Sequence, residues 1–530
     1  MSTAPSNDGL PADRRAWLWL LIGAALIAFA SLQPSLPLAA WLAPVFLLRF
    51  VRTRRARVGL SLVALAQCVA LGVNWYIGTA PVAMLAISGV IVGLLYTCGY
   101  AVDRLLAPRL SGLAQALVFP LAMTTVDWLG SQLAGALTPF MLPSLFSASA
   151  TWDSPGYTQT GNLLLLQIVA LTGMWGLTFL MTFFASTVNA LWENGFSWRP
   201  ARASLLGFGA VLAAALIWGG ARLAFFPPAQ PTVRVAAIAP RDDLFATISD
   251  VNSGDLMPGT PAQRASIGVS FAPIAEDLLA RTVREARAGA KIITWSETGA
   301  PMLEEDMAAL IERAGVVAHE EQIYLQIGVI VFRNTDHYPF MENRAILLDP
   351  TGAVVWDYHK ANPTPGENMV IAAGPRVLPM VDTPYGRLAT LICYDADFPE
   401  LARQAGKAGV DILLAPYKDW QSVSAQHAQM ATFRAIENGV WMVRPSSSGI
   451  STVVDPQGRV LAQVSAFGPD EPTVVATIGI QGTSTPYAQF GDVFAYVCLV
   501  GLAVLAGLAV AQRRQRNAGV PVIAEEPVKG

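Results

Sequence analysis

Hydrophobic positions are distributed very unevenly along the chain. Up to residue 226 they come in long runs; from 232 to 480 they alternate with polar positions as in an ordinary water-facing domain. The runs lie at 17–32, 36–50, 58–77, 82–102, 113–133, 163–191 and 204–226, and a last one at 490–511 follows the polar part. A helix needs about 20 apolar residues to cross the roughly 30 Å of bilayer hydrocarbon, so these runs predict eight spans, seven before the polar part and one after it. The second is short and interrupted by proline. Arg14 and Arg15 precede the first run as in a signal peptide, but no clear small-residue cleavage site follows, so a retained span is expected.

Basic residues give these spans a direction. Arg14 and Arg15 stand before the first span, and Arg49, Arg52, Arg54, Arg55 and Arg57 follow two crossings later. Arg104 with Arg109, Arg199 with Arg202, and finally Arg513, Arg514 and Arg516 fall on the same side after each further pair. Short loops rich in Lys and Arg stay cytoplasmic. Both termini are therefore expected inside, with the polar domain on the outer face of the membrane.

Within the polar part, strands are predicted at 233–239, 291–295, 324–332, 343–349, 386–392, 412–416 and 440–445. Helices are predicted at 271–288, 307–319, 399–408 and 423–438. Turns at Asp349–Gly352 and Asp455–Gly458 read as hairpin ends. The expected division is a disordered tail at 1–13, a seven-span domain at 14–228, an outer α/β domain at 229–482, a final span at 483–516 and a disordered tail at 517–530. Prolines 227, 228 and 231 form a stiff exit from the membrane.

Composition agrees with this picture and narrows it. Of 530 residues, 53% are hydrophobic and 14% charged, against about 25% charged in soluble domains. A net charge of -3 argues against nucleic-acid binding, which would need a basic face. The four histidines show no metal-ligand spacing, so neither a metal site nor a cofactor is expected. Cys68, Cys98 and Cys498 lie in apolar runs, which leaves Cys393 alone in the polar domain and rules out a disulfide framework there.

Cys393 ends a strand, a rigid place from which a thiol can act as a nucleophile. Two further residues stand at comparable places. Glu297 closes the apolar run 292–296, where burial would suit a general base. Lys360 follows the strand-like 354–359, where an ammonium can hold an oxyanion and favour a thiolate. Taken singly, each is as well explained by a buried thiol, a turn carboxylate or a solvated lysine.

Together they resemble a known pattern. Trp295-Ser296-Glu297-Thr298, Tyr358-His359-Lys360 and Ile392-Cys393-Tyr394-Asp395 are similar to the three catalytic motifs of the nitrilase, or carbon–nitrogen hydrolase, superfamily. Phe433-Arg434-Ala435-Ile436-Glu437-Asn438-Gly439 and Ser448-Gly449-Ile450-Ser451 add to the likeness. The resemblance covers about 232–480 and implies an α-β-β-α sandwich. Set between seven spans and one, it is similar to the apolipoprotein N-acyltransferase family, membrane-embedded members of that superfamily. That likeness implies a phospholipid acyl donor, a Cys393 thioester and a lipoprotein amine as acceptor, with Glu297 as base. Lys360 and a backbone N–H near Tyr394 would hold the oxyanion. Glu367, in Gly366-Glu367, matches the superfamily's second carboxylate, and Trp420 resembles an Asp-Trp turn near the site that would touch substrate.

Three features depart from the acyltransferase pattern. Asn362-Pro363-Thr364-Pro365-Gly366-Glu367-Asn368 replaces a Pro-Phe-Gly-Glu-Tyr stretch, the segment from there to Cys393 is short, and Asp395 stands where a glutamate is usual. They leave open an amidase acting on another amide or amine. An inactive membrane scaffold stands further behind, because all three triad positions hold competent residues.

Overall fold

A computed structural model describes residues 13–31, 35–78, 82–137, 151, 154–225, 231–246, 259–364, 366–469 and 471–518. Of the expected tails 1–13 and 517–530, residues 1–12 and 519–530 lie outside these residues, as do most of 138–153 and prolines 227 and 228. Asp13 accepts from Trp19 Nε1 at 2.9 Å, and 517–518 continue the last helix. The first part of the chain is helical, with helices Ala16–Ser31, Pro37–Thr53, Ala56–Gly78, Val82–Leu106, Gly112–Leu137, Trp175–Glu193 and Trp198–Phe225. Among the described residues, four helices are long and apolar enough to cross a membrane: Gly89–Arg109, Gly112–Leu133, Trp198–Phe225 and Val493–Arg514. Ala16–Ala30 and Ala56–Gly72 are shorter apolar helices.

The run at 163–191 is not the single straight span that its hydropathy predicts. It breaks at Gly173 into Leu163–Thr172 and Trp175–Glu193, set 116° apart. Gly173 has φ +62°, and a Cβ there would lie 2.5 Å from a Tyr487 ring carbon. Both the left-handed backbone and the close ring require glycine. Hydropathy sees a continuous apolar run because the bend alters no side chain's polarity.

The polar part forms two packed sheets. The first contains β1 (Thr232–Ile238), β2 (Ile292–Trp295), β3 (Ala300–Leu303), β4 (Tyr324–Phe332), β5 (Met341–Leu348) and β6 (Val354–His359). The second contains β7 (Met380–Thr383), β8 (Gly386–Thr390), β9 (Ile412–Leu414), β11 (Trp441–Arg444), β13 (Ile450–Val454) and β14 (Val460–Ser465). The chain returns to the first sheet through β15 (Thr473–Gly479), while β10 (Tyr417–Lys418) and β12 (Ser446–Ser447) form a two-stranded parallel ribbon. The orders are β15-β1-β2-β4-β5-β6, with β3 beside β4, and β14-β13-β11-β9-β8-β7.

Alternation along the strands builds the layers. Val233, Val235 and Ala237 of β1, with Ala345 and Leu347 of β5, face Leu388, Ile412, Leu414 and Met442 across the inter-sheet core. Ala236, Ile238, Ile346 and Leu348 point the other way, onto helices Pro261–Arg287 and Met307–Glu321. Helices Pro399–Lys407 and Gln421–Asn438 cover the second sheet, completing an α-β-β-α sandwich. The first helix is longer than the predicted 271–288, and its start is fixed by a capping box between Thr260 and Gln263.

Helix Gln421–Asn438 has two buried faces. Ala431 and Ala435 join the inter-sheet core, while Val423, Met430, Phe433 and Ile436 pack with Tyr157, Leu166, Trp175 and Ala495 of the apolar part. The two parts are also joined by hydrogen bonds, including Arg434 Nη2 to Tyr157 Oη at 2.8 Å. Asp492 accepts from Trp128 Nε1 at 3.0 Å, Trp175 Nε1 at 2.8 Å and Tyr487 Oη at 3.0 Å.

Candidate active site

Glu297, Lys360 and Cys393 each follow a strand of one of the two facing sheets, β2, β6 and β8, and all three are buried. Glu297 Oε1 accepts from Lys360 Nζ at 2.7 Å and Asn343 Nδ2 at 2.7 Å, and Oε2 accepts from the Lys418 N–H at 2.7 Å. The carboxylate is thus removed from water but held by three donors, a richer environment than the apolar run alone indicates. Lys360 Nζ also lies 2.7 Å from Glu367 Oε2, which in turn accepts the Thr364 N–H at 2.7 Å. Burial alone would pull the ammonium down; Glu297, Glu367 and the Cys393 sulfur push it well above the ordinary lysine range. Burial raises Glu367, but Lys360 outweighs it and keeps that carboxyl below its usual value.

Cys393 opens a tight helical turn, Cys393–Asp397, with φ +49°. Its N–H donates to Pro416 O at 2.9 Å and its Sγ faces Lys418 O at 3.7 Å. The positive φ values of Thr298, directly after Glu297, and of Ser448 adjoin the same region. Ser447 Oγ donates to Glu297 O at 3.1 Å. Left-handed non-glycine residues cost of order 1–3 kcal/mol each, so backbone strain gathers around this cysteine. Burial, then the Glu297 charge, push the thiol well above its ordinary value, and Lys360 opposes them. The resting sulfur is therefore a thiol that needs a base.

Asp395 acts as a staple. Its oxygens accept from Tyr358 Oη at 2.9 Å, Ile392 N at 3.0 Å, Asn362 N at 2.7 Å and Asn362 Nδ2 at 3.0 Å. It ties the chain just after Lys360 to the turn that carries Cys393. Tyr394 is buried with its ring edge-on to Phe398 at 5.2 Å, and its hydroxyl has no hydrogen-bond partner among the described residues. Trp420 precedes helix Gln421–Asn438 and is 45% exposed, so it is not a core aromatic.

Sequence reading missed a second cluster beneath the sulfur. Cys393 Sγ, an Asp419 oxygen and a His427 ring nitrogen lie within 4.8 Å of one another. Asp419 also takes Arg444 Nη2 at 2.6 Å and Ser446 Oγ at 2.9 Å. Burial would raise Asp419, but Arg444 and His427 hold it down at about 2. These residues come from four separate segments, and no spacing in the sequence joins them.

Below helix Gln421–Asn438 the apolar part contains a cavity. Gln67, Tyr96, Tyr100 and Met123 line it from the membrane side, and Gln426 and Gln429 from the helix above. The same helix packs against the turn that carries Cys393.

Residues 270–485 match the family model described as carbon-nitrogen hydrolase, which agrees with the sandwich and places this domain in that class of proteins. Residues 23–187 match the model described as apolipoprotein N-acyltransferase N-terminal domain. Curated proteins named apolipoprotein N-acyltransferase are similar along most of the chain. The Geobacter metallireducens protein is 26% identical, covering 95% of this chain and 97% of its own. The Caulobacter vibrioides protein is 26% identical over 83% of each, and the Pseudomonas putida protein 29% identical over 68% of this chain and 71% of its own. Among solved structures, an amidase from Nesterenkonia sp. is 18% identical, covering 51% of this chain and 98% of its own, with a TM-score of 0.38. The chain belongs to the apolipoprotein N-acyltransferase family and is an acyltransferase of a bacterial membrane.

Proposed function

We propose that the protein moves an acyl chain from a membrane phospholipid to the N-terminal amine of a diacylglyceryl-cysteine lipoprotein, through a thioester on Cys393. The observation that carries this reading is the Glu297–Lys360 contact at 2.7 Å beside the strained, buried Cys393. Such a pair offers a base and a cation to one nucleophile.

Glu297 takes the thiol proton as Sγ attacks the donor's ester carbonyl. Lys360, with a backbone N–H near Tyr394, stabilises the oxyanion, and Glu367 keeps Lys360 charged and oriented. The C–O bond then breaks, and Glu297 returns the proton to the leaving lysophospholipid oxygen. In the second half the acceptor amine attacks the thioester and gives its proton to Glu297. The C–S bond breaks and Cys393 is restored. Trp420, exposed beside the site, is assigned to substrate contact.

The cavity under helix Gln421–Asn438 supports a lipid donor, because its apolar lining suits an alkyl chain. Eight spans, with both termini cytoplasmic and the sandwich on the outer face, complete the proposal; the basic clusters support it.

The test is intact mass after incubation with phospholipid, followed by conversion of a diacylated to a triacylated lipoprotein. A thioester-sized gain present in the native protein and absent in Cys393→Ala supports the reading. Amide hydrolysis without an acyl adduct would replace it with the amidase reading.

A further inference from the structure

His427 takes no part in the chemistry above, yet its surroundings are unusual. It lies in helix Gln421–Asn438, is 5% exposed, and turns both ring nitrogens to carboxylates. Nδ1 is 2.7 Å from Asp419 Oδ1 and Nε2 is 3.1 Å from Asp397 Oδ1. A neutral imidazole has one N–H and satisfies one of these oxygens; the doubly protonated ring satisfies both. Asp397 Oδ2 has no hydrogen-bond partner among the described residues; His427 is the cation in hydrogen-bond contact with this carboxylate, and Arg434, on the same helix, feels its charge from further off. Tyr417 closes the cluster, edge-on to His427 at 4.8 Å and under the Arg444 guanidinium at 3.8 Å.

The groups facing this histidine come from every neighbouring element. Asp397 belongs to the turn that carries Cys393, Asp419 follows β10, and Arg444 ends β11. Across the inter-sheet space Glu297 and Lys360 complete the charges around the sulfur. Segment 417–419 links the two clusters. The Lys418 N–H holds Glu297, its carbonyl faces Cys393 Sγ, and Asp419 next to it is held by His427.

We propose that His427 is a positioning residue for acyl transfer: clamped between Asp397 and Asp419, it cancels their charge beside Cys393 and fixes the 417–419 segment that aligns Glu297 with the sulfur. Burial would pull the imidazolium down, but Asp397 and Asp419 push it up to about 9, so the cation persists at neutral pH. Asp419 raises the thiol, which makes the compensating cation felt at the nucleophile. The inference rests on Cys393 being the nucleophile.

The experiment uses the full chain in detergent and iodoacetamide as the probe. The alkylation rate at Cys393, followed by mass of its peptide, is measured from pH 6 to 10. The raised thiol midpoint lies above most of this window, so the rate climbs with pH through it. In His427→Gln the rate is expected to fall about tenfold at each pH, because thiolate fraction falls tenfold for each unit by which the midpoint rises. In His427→Gln/Asp397→Asn, with one carboxylate charge removed, most of that loss is expected to return. Steady-state acyl transfer should show kcat reduced and the donor KM little changed.

An unchanged alkylation rate across the window in a folded His427→Gln protein would overturn the proposal. So would a double variant as slow as the single one, since that pattern belongs to packing rather than charge. If His427→Gln does not fold, Asp397→Asn alone decides: faster alkylation at each pH supports the clamp and an unchanged rate overturns it. Failure of the nucleophile assignment is separately visible as native protein that gains no acyl mass from phospholipid.

Discussion

Lys360 Nζ lies 2.7 Å from Glu297 Oε1, and the two side chains are 1% and 2% exposed. A buried pair of this kind adds little net stability, but removing one partner strands the other, at a cost of about 3–5 kcal/mol. The two residues should therefore fail differently. Glu297→Gln leaves Lys360 paired with Glu367, so a folded protein that forms no acyl-enzyme is expected. Lys360→Met strands two carboxylates and should lose both the thioester and several degrees of melting temperature. Intact mass and thermal unfolding check both; an acylated Glu297→Gln protein would remove Glu297 as the base.

Asp395 is fully buried and accepts from four backbone or side-chain groups of 358–362 as well as from Ile392 N. Asparagine at 395 would turn an NH2 towards one set of these donors, leaving buried groups unpaired at about 1–3 kcal/mol each. Asp395→Asn is expected to lower kcat at least tenfold with the donor KM little changed, because Lys360 and Cys393 lose their common staple. A variant with native kcat would show that the two are positioned independently.

Much of this architecture can be read from the sequence, for reasons that differ by element. The first sheet is visible because β1 and β5 alternate between two buried faces, and β4 appears at 324–332 as predicted. The ends of strands marked Glu297, Lys360 and Cys393 as candidates; that they meet follows from sheet order, which local pattern does not encode. His427 was invisible because one polar residue in the amphipathic run 423–438 looks like a solvated position. Its carboxylate partners come from a turn 30 residues earlier and a ribbon 8 residues earlier. The bend at 163–191 was hidden for a related reason, since Gly173 signals a turn only when a positive φ and the Tyr487 ring demand one.

The cluster beneath Cys393 also makes stability depend on pH. His427 rises from an ordinary 6.5 to about 9 in the folded protein. Below pH 6.5 both folded and unfolded chains hold the proton and its contribution is complete. Between 6.5 and 9 the unfolded chain releases it first, so the contribution fades and is gone above about 9. The lost stability is about 3 kcal/mol at 1.36 kcal/mol per unit. Asp419, lowered from 3.8 to about 2, acts on the acid side: its contribution is present above 3.8 and lost as pH falls through about 2. Melting temperature should therefore fall between pH 6.5 and 9 in the native protein, with a flatter profile in His427→Gln. Parallel profiles would place the alkaline sensitivity elsewhere.

Asp492 lies where the sandwich meets the final helix, and it alone gathers Trp128, Trp175 and Tyr487 from three parts of the chain. Trp175 follows the Gly173 bend, and the Tyr487 ring packs against that glycine. One carboxylate therefore fixes the bent segment, the long helix Gly112–Leu137 and the start of Val493–Ala518 together. Asp492→Ala strands these three donors and Gln132 Nε2, each at about 1–3 kcal/mol, and should loosen the sandwich from the apolar bundle without touching Glu297, Lys360 or Cys393. Expected outcomes are a lower melting temperature and faster proteolytic cleavage near 483–492 in detergent. Cys393 should still react with iodoacetamide at the native rate, while acyl transfer from phospholipid, which needs the cavity aligned under helix Gln421–Asn438, should drop. Native resistance to proteolysis would show that the apolar contacts of Met430, Phe433 and Ile436, with the Arg434–Tyr157 hydrogen bond, hold the junction without Asp492.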